Sequence, residues 1–281
     1  MTIALAIKVN EGLVLAADSA TTLALGGIVN GDPNNALIYD NANKVMNLHR
    51  DLPIGMVTWG LGSVGIQSIS SLAKDLRKRF MGSDAHWHLD PSTFSMVTVA
   101  QRVKQFFHDE RLMPQQASVP ASSTLGIFVG GISAGSSAAE AFVIETDGVT
   151  CPGPVPVLPG TSDAFWAGQP EAISRLLLGV SPQLGQALEN LGVSSADVPK
   201  YVEAIKQQTN IPLLTPPMPI QDAIDLAAFL VDTTIKFTKF RPGYNTVGGP
   251  IEIAAITQHE GFKWVQRKHY YETTLNSGGV R

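Results

Sequence analysis

Short apolar runs separated by turn-forming residues recur along most of the 281-residue chain. Residues 2–9 and 13–18 are two apolar, β-favouring runs joined by Asn10-Glu11-Gly12. This pattern predicts a hairpin, because the glycine supplies the positive φ that such a turn needs. The same pattern predicts further strands in the following segments: 44–49, 54–59, 124–132, 141–146, 165–168, 251–257 and 262–268.

Helices are predicted where apolar residues recur every three to four positions, first between Ile66 and Phe80. A second helix is predicted to begin at Asp90-Pro91, since a capping residue followed by proline is typical of a first helical turn. Three more are predicted later in the chain: 170–178, 198–207 and 220–237. Antiparallel strand pairs alternating with blocks of helices indicate an α+β fold, with two sheets between helical layers.

Composition and charge narrow the class of protein. Hydrophobic residues make up 44% of the chain and charged residues 16%, which is typical of a globular protein. The net charge of −4 argues against general affinity for nucleic acid or anionic membranes. Cys151 is the single cysteine, so an internal disulfide and a cysteine-based zinc site are excluded. The apolar start lacks a basic segment and is interrupted by Lys8 and Glu11, which predicts a cytoplasmic protein without a membrane span.

A glycine-rich segment, Gly60-Leu61-Gly62-Ser63-Val64-Gly65, matches the pattern of dinucleotide-binding loops. That function also needs a second parallel strand that ends in an acidic residue about twenty positions later. The corresponding segment, MGSDAHWHLDPS, does not have a strand-like pattern. The sequence therefore argues against dinucleotide binding by this segment, and no cofactor is predicted.

A second segment, residues 131–135 (GISAG), matches the nucleophile elbow of serine hydrolases, and Asp147 and His259 follow in the required order. An elbow is followed at once by a helix, whereas SAGSSAAE leads within about six residues into another strand. A hairpin loop is therefore favoured. His86 and His88 flank a tryptophan in a polar loop and the other histidines are scattered, so no metal site is predicted.

Thr2, directly after Met1, is a candidate nucleophile. A threonine hydroxyl is weak unless a base lies beside it, and an N-terminal α-amine with a pKa of about 7.7–8.0 can be that base. Aminopeptidases remove methionine ahead of a small residue, and here that would place the amine and the hydroxyl on one residue. The alternative is that Thr2 is only the first residue of a strand.

The opening segment, residues 2–19 (TIALAIKVNEGLVLAADS), resembles the start of a mature proteasome β subunit. The match comprises the threonine, the hairpin glycine and Ala-Ala-Asp-Ser at the end of the second strand. It continues through Asn43-Lys44-Val45 and Thr58-Trp59-Gly60. The chain is thus similar to proteasome-type N-terminal nucleophile (Ntn) hydrolases, including their bacterial relatives. The resemblance implies a four-layer αββα sandwich in one domain, residues 1–281, with an irregular helical insertion at about residues 178–218.

The resemblance implies catalytic roles for four residues. Thr2 would attack the amide carbonyl and form an acyl-enzyme, and Lys44 would place a cation beside its hydroxyl. Asp18 would keep that lysine charged and oriented, while the backbone N–H of Gly60 would stabilise the oxyanion. Read alone, Asp18 could instead cap a turn and Lys44 could be a surface lysine.

The same register implies which residues surround the scissile bond: Thr22, Ala42, Met46, Thr58 and Gly62. The backbone of Thr22 would bind an extended peptide in the manner of an added strand. The others are small or apolar, so we expect a preference for neutral apolar side chains before the scissile bond. Trp59 could narrow the site by lying over it.

The second half departs from the family pattern. Gln169 stands where the family has a serine after a strand-end glycine. Tyr244 and Val247 stand where it has an aspartate and a serine before Gly-Gly, although Asn245 or Thr246 could compensate. These differences leave the fold prediction intact but bring efficient peptide hydrolysis into question.

The sequence is therefore interpreted as a threonine-type hydrolase that cleaves amide bonds in a peptide or unfolded-protein substrate. The resemblance implies a homo-oligomeric ring, and no unfoldase partner can be named. Two alternatives remain: a catalytically silent proteasome-like ring or scaffold protein, and a small-molecule amidase on the same fold. A retained Met1 would favour the silent protein, because it would remove the base from Thr2.

Overall fold

The computed structural model describes residues 2–24, 36–118, 123–242 and 245–268. Its first sheet has five antiparallel strands: β1 (Ile3–Val9), β2 (Gly12–Ala17), β12 (Asp163–Gly168), β13 (Glu252–Thr257) and β14 (Gly261–Gln266). They lie in the order β12-β1-β2-β13-β14, so the first and last parts of the chain share one sheet.

The second sheet also has five antiparallel strands: β5 (Val45–Asn47), β6 (Ile54–Gly60), β9 (Leu125–Gly131), β10 (Glu140–Thr146) and β11 (Val155–Val157). Their order is β11-β10-β9-β6-β5. Two short antiparallel pairs accompany the sheets: β3 (Thr21–Ala24) with β4 (Ala36–Tyr39), and β7 (Ser63–Val64) with β8 (Gln67–Ser68).

Six α-helices occur in the described residues: α1 (Ile69–Phe80), α2 (Met96–Lys104), α3 (Glu171–Leu178), α4 (Leu184–Asn190), α5 (Val198–Thr209) and α6 (Ile220–Lys239). A π-helical segment (Gln105–Leu112) and a 3₁₀ segment (Met113–Ser118) continue α2. None of these helices is both long and apolar enough to cross a membrane.

Three apolar clusters separate the layers. Alternate residues of β1, such as Ile3 and Leu5, pack with α3 and α6 on one face of the first sheet. Ala4 and Ala6 point the opposite way, into a cluster between the two sheets. A third cluster joins the second sheet to α1 and α2. The layers are therefore helix, sheet, sheet, helix, and the predicted α+β sandwich of two antiparallel sheets is confirmed.

The predicted strands are present, but some helix predictions need correction. The second helix begins at Met96, not at Asp90-Pro91, because Ser95 is extended (φ −123°) and interrupts helical geometry. Its hydroxyl accepts a hydrogen bond from the amide of Thr98, so the serine caps the helix instead. Ile66 lies fully exposed in the β7–β8 turn and is not part of α1. The short pairs β3–β4 and β7–β8 and the helix α4 were not predicted.

Candidate active site

Asp18 follows the last residue of β2 and is completely buried. Its Oδ1 accepts hydrogen bonds from the Lys44 ammonium at 2.7 Å and from the amide of Ile3 at 3.0 Å. Its Oδ2 accepts from the amides of Gly248 at 2.9 Å and Ala20 at 3.1 Å. Four donors thus satisfy and orient one buried carboxylate, as a buried charged group requires.

Lys44 directly precedes β5, and its side chain is only 7% exposed. It is therefore a buried residue and not a surface lysine. Burial lowers the pKa of its ammonium below the ordinary value, and the nearby Asp18 carboxylate opposes that change. The 2.7 Å ion pair with Asp18 is what compensates the buried cation.

Thr2 is also buried and directly precedes β1. Its position is determined from two sides. The amide of Ile3 donates to Asp18, and β12 passes so close that a Cβ at position 168 would lie 1.9 Å from the Thr2 carbonyl oxygen. Gly168, at φ +92°, is therefore required for this contact.

Thr2 and Lys44 line the same small pocket. Six residues predicted from the sequence contribute to its wall: Thr2, Ala42, Lys44, Thr58, Gly60 and Gly62. Five residues complete the lining: Thr21, Asn43, Trp59, Leu61 and Ile69. The tertiary structure therefore brings together segments from the β1, β3, β5, β6 and α1 regions of the chain.

Three other predicted site residues lie elsewhere. Asp18 lies behind the pocket wall, in contact with Lys44. Met46 packs in the core under α1 and α2 and lines a separate cavity beside α1. Thr22 pairs with Ile38 in the β3–β4 ladder, and its neighbour Thr21 is the one that lines the pocket.

Trp59 contributes to the pocket wall, but its indole belongs to the core between the sheets. The ring centroid lies 5.5 Å from that of Phe165. A Cβ at position 126 would lie 1.9 Å from the indole, so Gly126 makes room for it. With 7% of its surface exposed, Trp59 is held mainly by packing in this core.

Gly60, the first glycine of the segment 60–65, is explained by packing. Gly60 has φ +83°, and a Cβ there would lie 2.0 Å from the carbonyl oxygen of Thr124, the residue before β9. β6 is antiparallel to both neighbours, and the β7–β8 pair, with Gly65 in its turn, lies between β6 and α1. A dinucleotide-binding loop needs a parallel strand that runs directly into a helix, so this segment is not one.

Ser133 has a structural role. Its hydroxyl accepts a hydrogen bond from the amide of Met96 at the start of α2 and donates one to the carboxylate of Glu140. The segment connects β9 to β10, and no helix follows it as an elbow requires. Asp147, the candidate acid, binds the amides of its own turn.

In the part of the chain that the structure describes, no group of three or more His, Cys, Asp or Glu side chains is placed so that it could hold a metal ion. His86 contacts the side-chain amide of Gln105, and His88 contacts the carbonyl of Gly82.

The sequence interpretation missed two charged residues of the site, Glu252 and Lys268. Glu252 is the first residue of β13 and is completely buried. One of its oxygens accepts the amides of Lys44 and Val45. The sequence did contain a signal for Glu252, because it is the one acidic residue in the otherwise apolar strand IEIAAIT. A carboxylate buried in such a strand needs hydrogen-bond or charged partners.

The segment before Gly248-Gly249 supports Asp18 through its backbone. Val247 is completely buried in the apolar cluster under α6, so it packs where a serine was expected. The next residue, Gly248, donates its amide to Asp18 and accepts the amide of Ser19. Tyr244 lies outside the described residues.

Comparisons with known proteins support this architecture. No protein-family model matches the sequence, and no curated protein matches it. Among solved structures, the Gly-1 mutant of Anbu from Hyphomicrobium sp. strain MC1 aligns with a TM-score of 0.52, covering 95% of this chain and 86% of that one. The fold is similar to that of Anbu. Anbu is a proteasome-like protein with the Ntn fold, and at 16% identity the likeness to Anbu shows the fold alone.

Proposed function

We propose that the protein is a threonine-type Ntn hydrolase that cleaves amide bonds in peptides or unfolded proteins after removal of Met1. The observation that carries this proposal is the shared pocket of Thr2 and Lys44, with the Lys44 ammonium paired to the buried Asp18 carboxylate. The similarity of the fold to that of Anbu supports it.

In the proposed reaction, the Thr2 hydroxyl oxygen attacks the carbonyl carbon of the amide, and its proton moves to the free α-amine of Thr2. The amine then protonates the leaving nitrogen, the C–N bond breaks, and an ester to Thr2 remains. Water attacks that ester, and the α-amine again accepts the proton. The bond between the acyl carbon and the Thr2 oxygen then breaks, the α-ammonium returns the proton to that oxygen, and the carboxylic product leaves.

Lys44 and Gly60 have supporting roles in this proposal. The Lys44 cation stabilises negative charge that develops on the Thr2 oxygen, while Asp18 keeps the cation oriented. The backbone N–H of Gly60, which lines the same pocket, is proposed to stabilise the oxyanion.

The pocket lining supports a substrate with a neutral side chain. Apart from Lys44, every lining residue is uncharged. Lys44 is already paired with Asp18, and the wall beside it is small or apolar at Ala42, Leu61, Gly62 and Ile69. A charged side chain of the substrate would therefore lose hydration without gaining a free partner. We therefore propose selection for neutral apolar residues before the scissile bond.

The organisation of the chain is part of the same proposal. We propose one Ntn domain over residues 1–281, with α4 and α5 in an inserted segment at about residues 178–218. The resemblance to proteasome β subunits also leads us to propose a homo-oligomeric ring that acts in the cytoplasm.

Intact mass spectrometry and fluorogenic peptide assays of the purified protein test the proposal. We expect loss of Met1, hydrolysis of peptides with apolar residues before the cut, and covalent capture of Thr2 by a peptide that carries an electrophile. A retained Met1 together with no hydrolysis would support the silent ring or scaffold protein. Hydrolysis of short amides without any peptide cleavage would support the small-molecule amidase.

A further inference from the structure

A second buried ion pair, between Glu252 and Lys268, lies next to the Asp18–Lys44 pair. The Nζ of Lys268 lies 3.5 Å from Oε1 of Glu252, and their side chains are 6% and 1% exposed. The other Glu252 oxygen, Oε2, accepts the amide of Lys44 at 2.9 Å and that of Val45 at 3.3 Å. Glu252 therefore binds the backbone of the lysine whose side chain lines the pocket.

Lys268 extends these contacts to two more segments of the site. Its ammonium donates to the hydroxyl of Ser19 at 2.5 Å and to the carbonyl of Ala42. Ser19 directly follows Asp18, and Ala42 lines the pocket. One ammonium group thus connects the residue after the buried aspartate to the segment that leads into Lys44.

We propose that Glu252 and Lys268 are positioning residues, which hold Lys44 in place and set the electrostatic environment of its ammonium group. This inference rests on the proposed function, in which Lys44 assists Thr2. It assigns a role to two side chains that lie outside the pocket wall formed by Thr2 and Lys44.

The charges of this cluster balance. Asp18 on the β2 side and Glu252 on β13 supply two negative charges, while Lys44 and Lys268 supply two positive charges. The Glu252 carboxylate raises the pKa of Lys44, and the Lys268 ammonium lowers it. The α-amine of Thr2, freed by removal of Met1, would add one further titrating group, which is common to every variant below.

Because the charges balance, removing either the Glu252 charge or the Lys268 charge should shift the pKa of Lys44, and the two shifts should be in opposite directions. Removing the Glu252 charge leaves Lys268 to repel Lys44, so the pKa of Lys44 falls. Removing the Lys268 charge leaves Glu252 to attract Lys44, so the pKa of Lys44 rises. A residue pair that mattered only for packing would give no such pair of opposite shifts.

The test compares Glu252→Gln with Lys268→Met, and each is matched to a variant of the exposed pair Asp232–Lys236 on α6. Titration of Lys44 is followed by NMR of the lysine Cε groups in ¹³C-lysine-labelled protein, with Lys44→Arg used for assignment. We expect the Lys44 pKa to fall in Glu252→Gln and to rise in Lys268→Met. Asp232→Asn and Lys236→Met should leave it unchanged.

Conservative variants keep the test decisive if a substitution prevents folding. Lys268→Arg and Glu252→Asp retain the charges and should keep the Lys44 pKa near that of the wild type, and Glu252→Ala replaces Glu252→Gln if the latter does not fold. Shifts of the same sign in both folded variants, or no shift in either, would overturn the inference. The titration needs no substrate, whereas activity that survives Thr2→Ala would overturn the proposed function alone.

Discussion

The Oδ1 atom of Asp18 lies 2.7 Å from the Nζ of Lys44 in an ion pair closed to solvent. The same oxygen accepts the amide of Ile3, the residue after Thr2, at 3.0 Å. A single carboxylate oxygen thus joins the start of β1 to the side chain that precedes β5. The distance between the proposed nucleophile and its neighbouring cation is therefore controlled by one buried group.

Thr2→Ala should abolish amide hydrolysis, because it removes the attacking oxygen. Its melting temperature should stay close to that of the wild type, since no described hydrogen bond uses the Thr2 hydroxyl and the Ile3–Asp18 contact is made by backbone. Thr2→Ser is the matched control and should retain measurable turnover. Rates are measured with fluorogenic peptides, and full activity in Thr2→Ala would contradict the proposed role.

Lys44→Ala should reduce turnover by orders of magnitude and lower the free energy of unfolding by about 3 kcal/mol. The physical reason is that it leaves the Asp18 carboxylate buried without its cation, although three backbone amides still bind it. The control is Lys236→Ala, which removes an exposed pair and should cost no more than about 0.5 kcal/mol. Chemical denaturation and steady-state kinetics measure the two effects, and equal stability of both variants would contradict burial of Lys44.

Gly168→Ala should reduce both stability and turnover, because the new Cβ would collide with the Thr2 carbonyl and push β12 away from it. Gly192→Ala is a matched control for backbone strain, since its φ of +90° is similar but nothing lies within 4 Å of the added Cβ. The control should lose about 1–2 kcal/mol and keep its activity. If the Gly168→Ala variant were as stable and as active as this control, the contact between β12 and Thr2 would be unimportant.

Stability should decline as the pH falls below about 6.5, in part because of His49. Burial lowers the pKa of its imidazole, and its Nδ1 accepts the amide of Asp51 at 3.2 Å, which requires an unprotonated nitrogen. Between the ordinary and the lowered pKa, the unfolded chain binds a proton that the native protein does not, so the native state loses stability on acidification. Above about pH 6.5, the contribution of His49 to the pH dependence of stability should disappear.

His49→Asn should therefore flatten the acid side of the stability profile, as measured by urea denaturation at a series of pH values. His86→Asn is the control, because His86 is exposed. The prediction would be contradicted if both variants kept the slope of the wild type between about pH 5 and 6.5.

A library of fluorogenic peptides that varies the residue before the scissile bond should show preference for neutral apolar side chains. Selectivity among them should be moderate, because one methylene in an apolar pocket contributes about 1–3 kcal/mol. The Thr2→Ala variant measured on the same library separates this activity from contaminating peptidases. Strong selection for arginine or aspartate would show that the pocket lined by Ala42, Leu61 and Gly62 does not hold that side chain.

Local sequence determined the elements that make up the layers. In β1, large apolar residues alternate with alanines, and the structure places them on opposite faces of the sheet, as a period of two requires. The boundaries of β6 and β9 differ from the predicted ones by at most one residue at each end. The start of α2 was wrong by several residues, because Asp90-Pro91 forms a separate turn that a local pattern does not distinguish from a helix start.

The candidate site could be found only in part from the sequence. The resemblance to proteasome β subunits covers about the first 80 residues, whereas Glu252 and Lys268 are remote from them in the chain. Glu252 binds the amide of a residue 208 positions earlier, and Lys268 binds a hydroxyl 249 positions earlier. A local sequence pattern describes neighbours within a few residues. The pairing of β13 with β2 and of β14 with β13 is what brings the segments of Glu252 and Lys268 to Lys44. The sequence alone therefore determined the alternation, the turns and the candidate nucleophile. Only the tertiary structure decided which buried charges meet, because a buried charge is stable only where the fold supplies its partner.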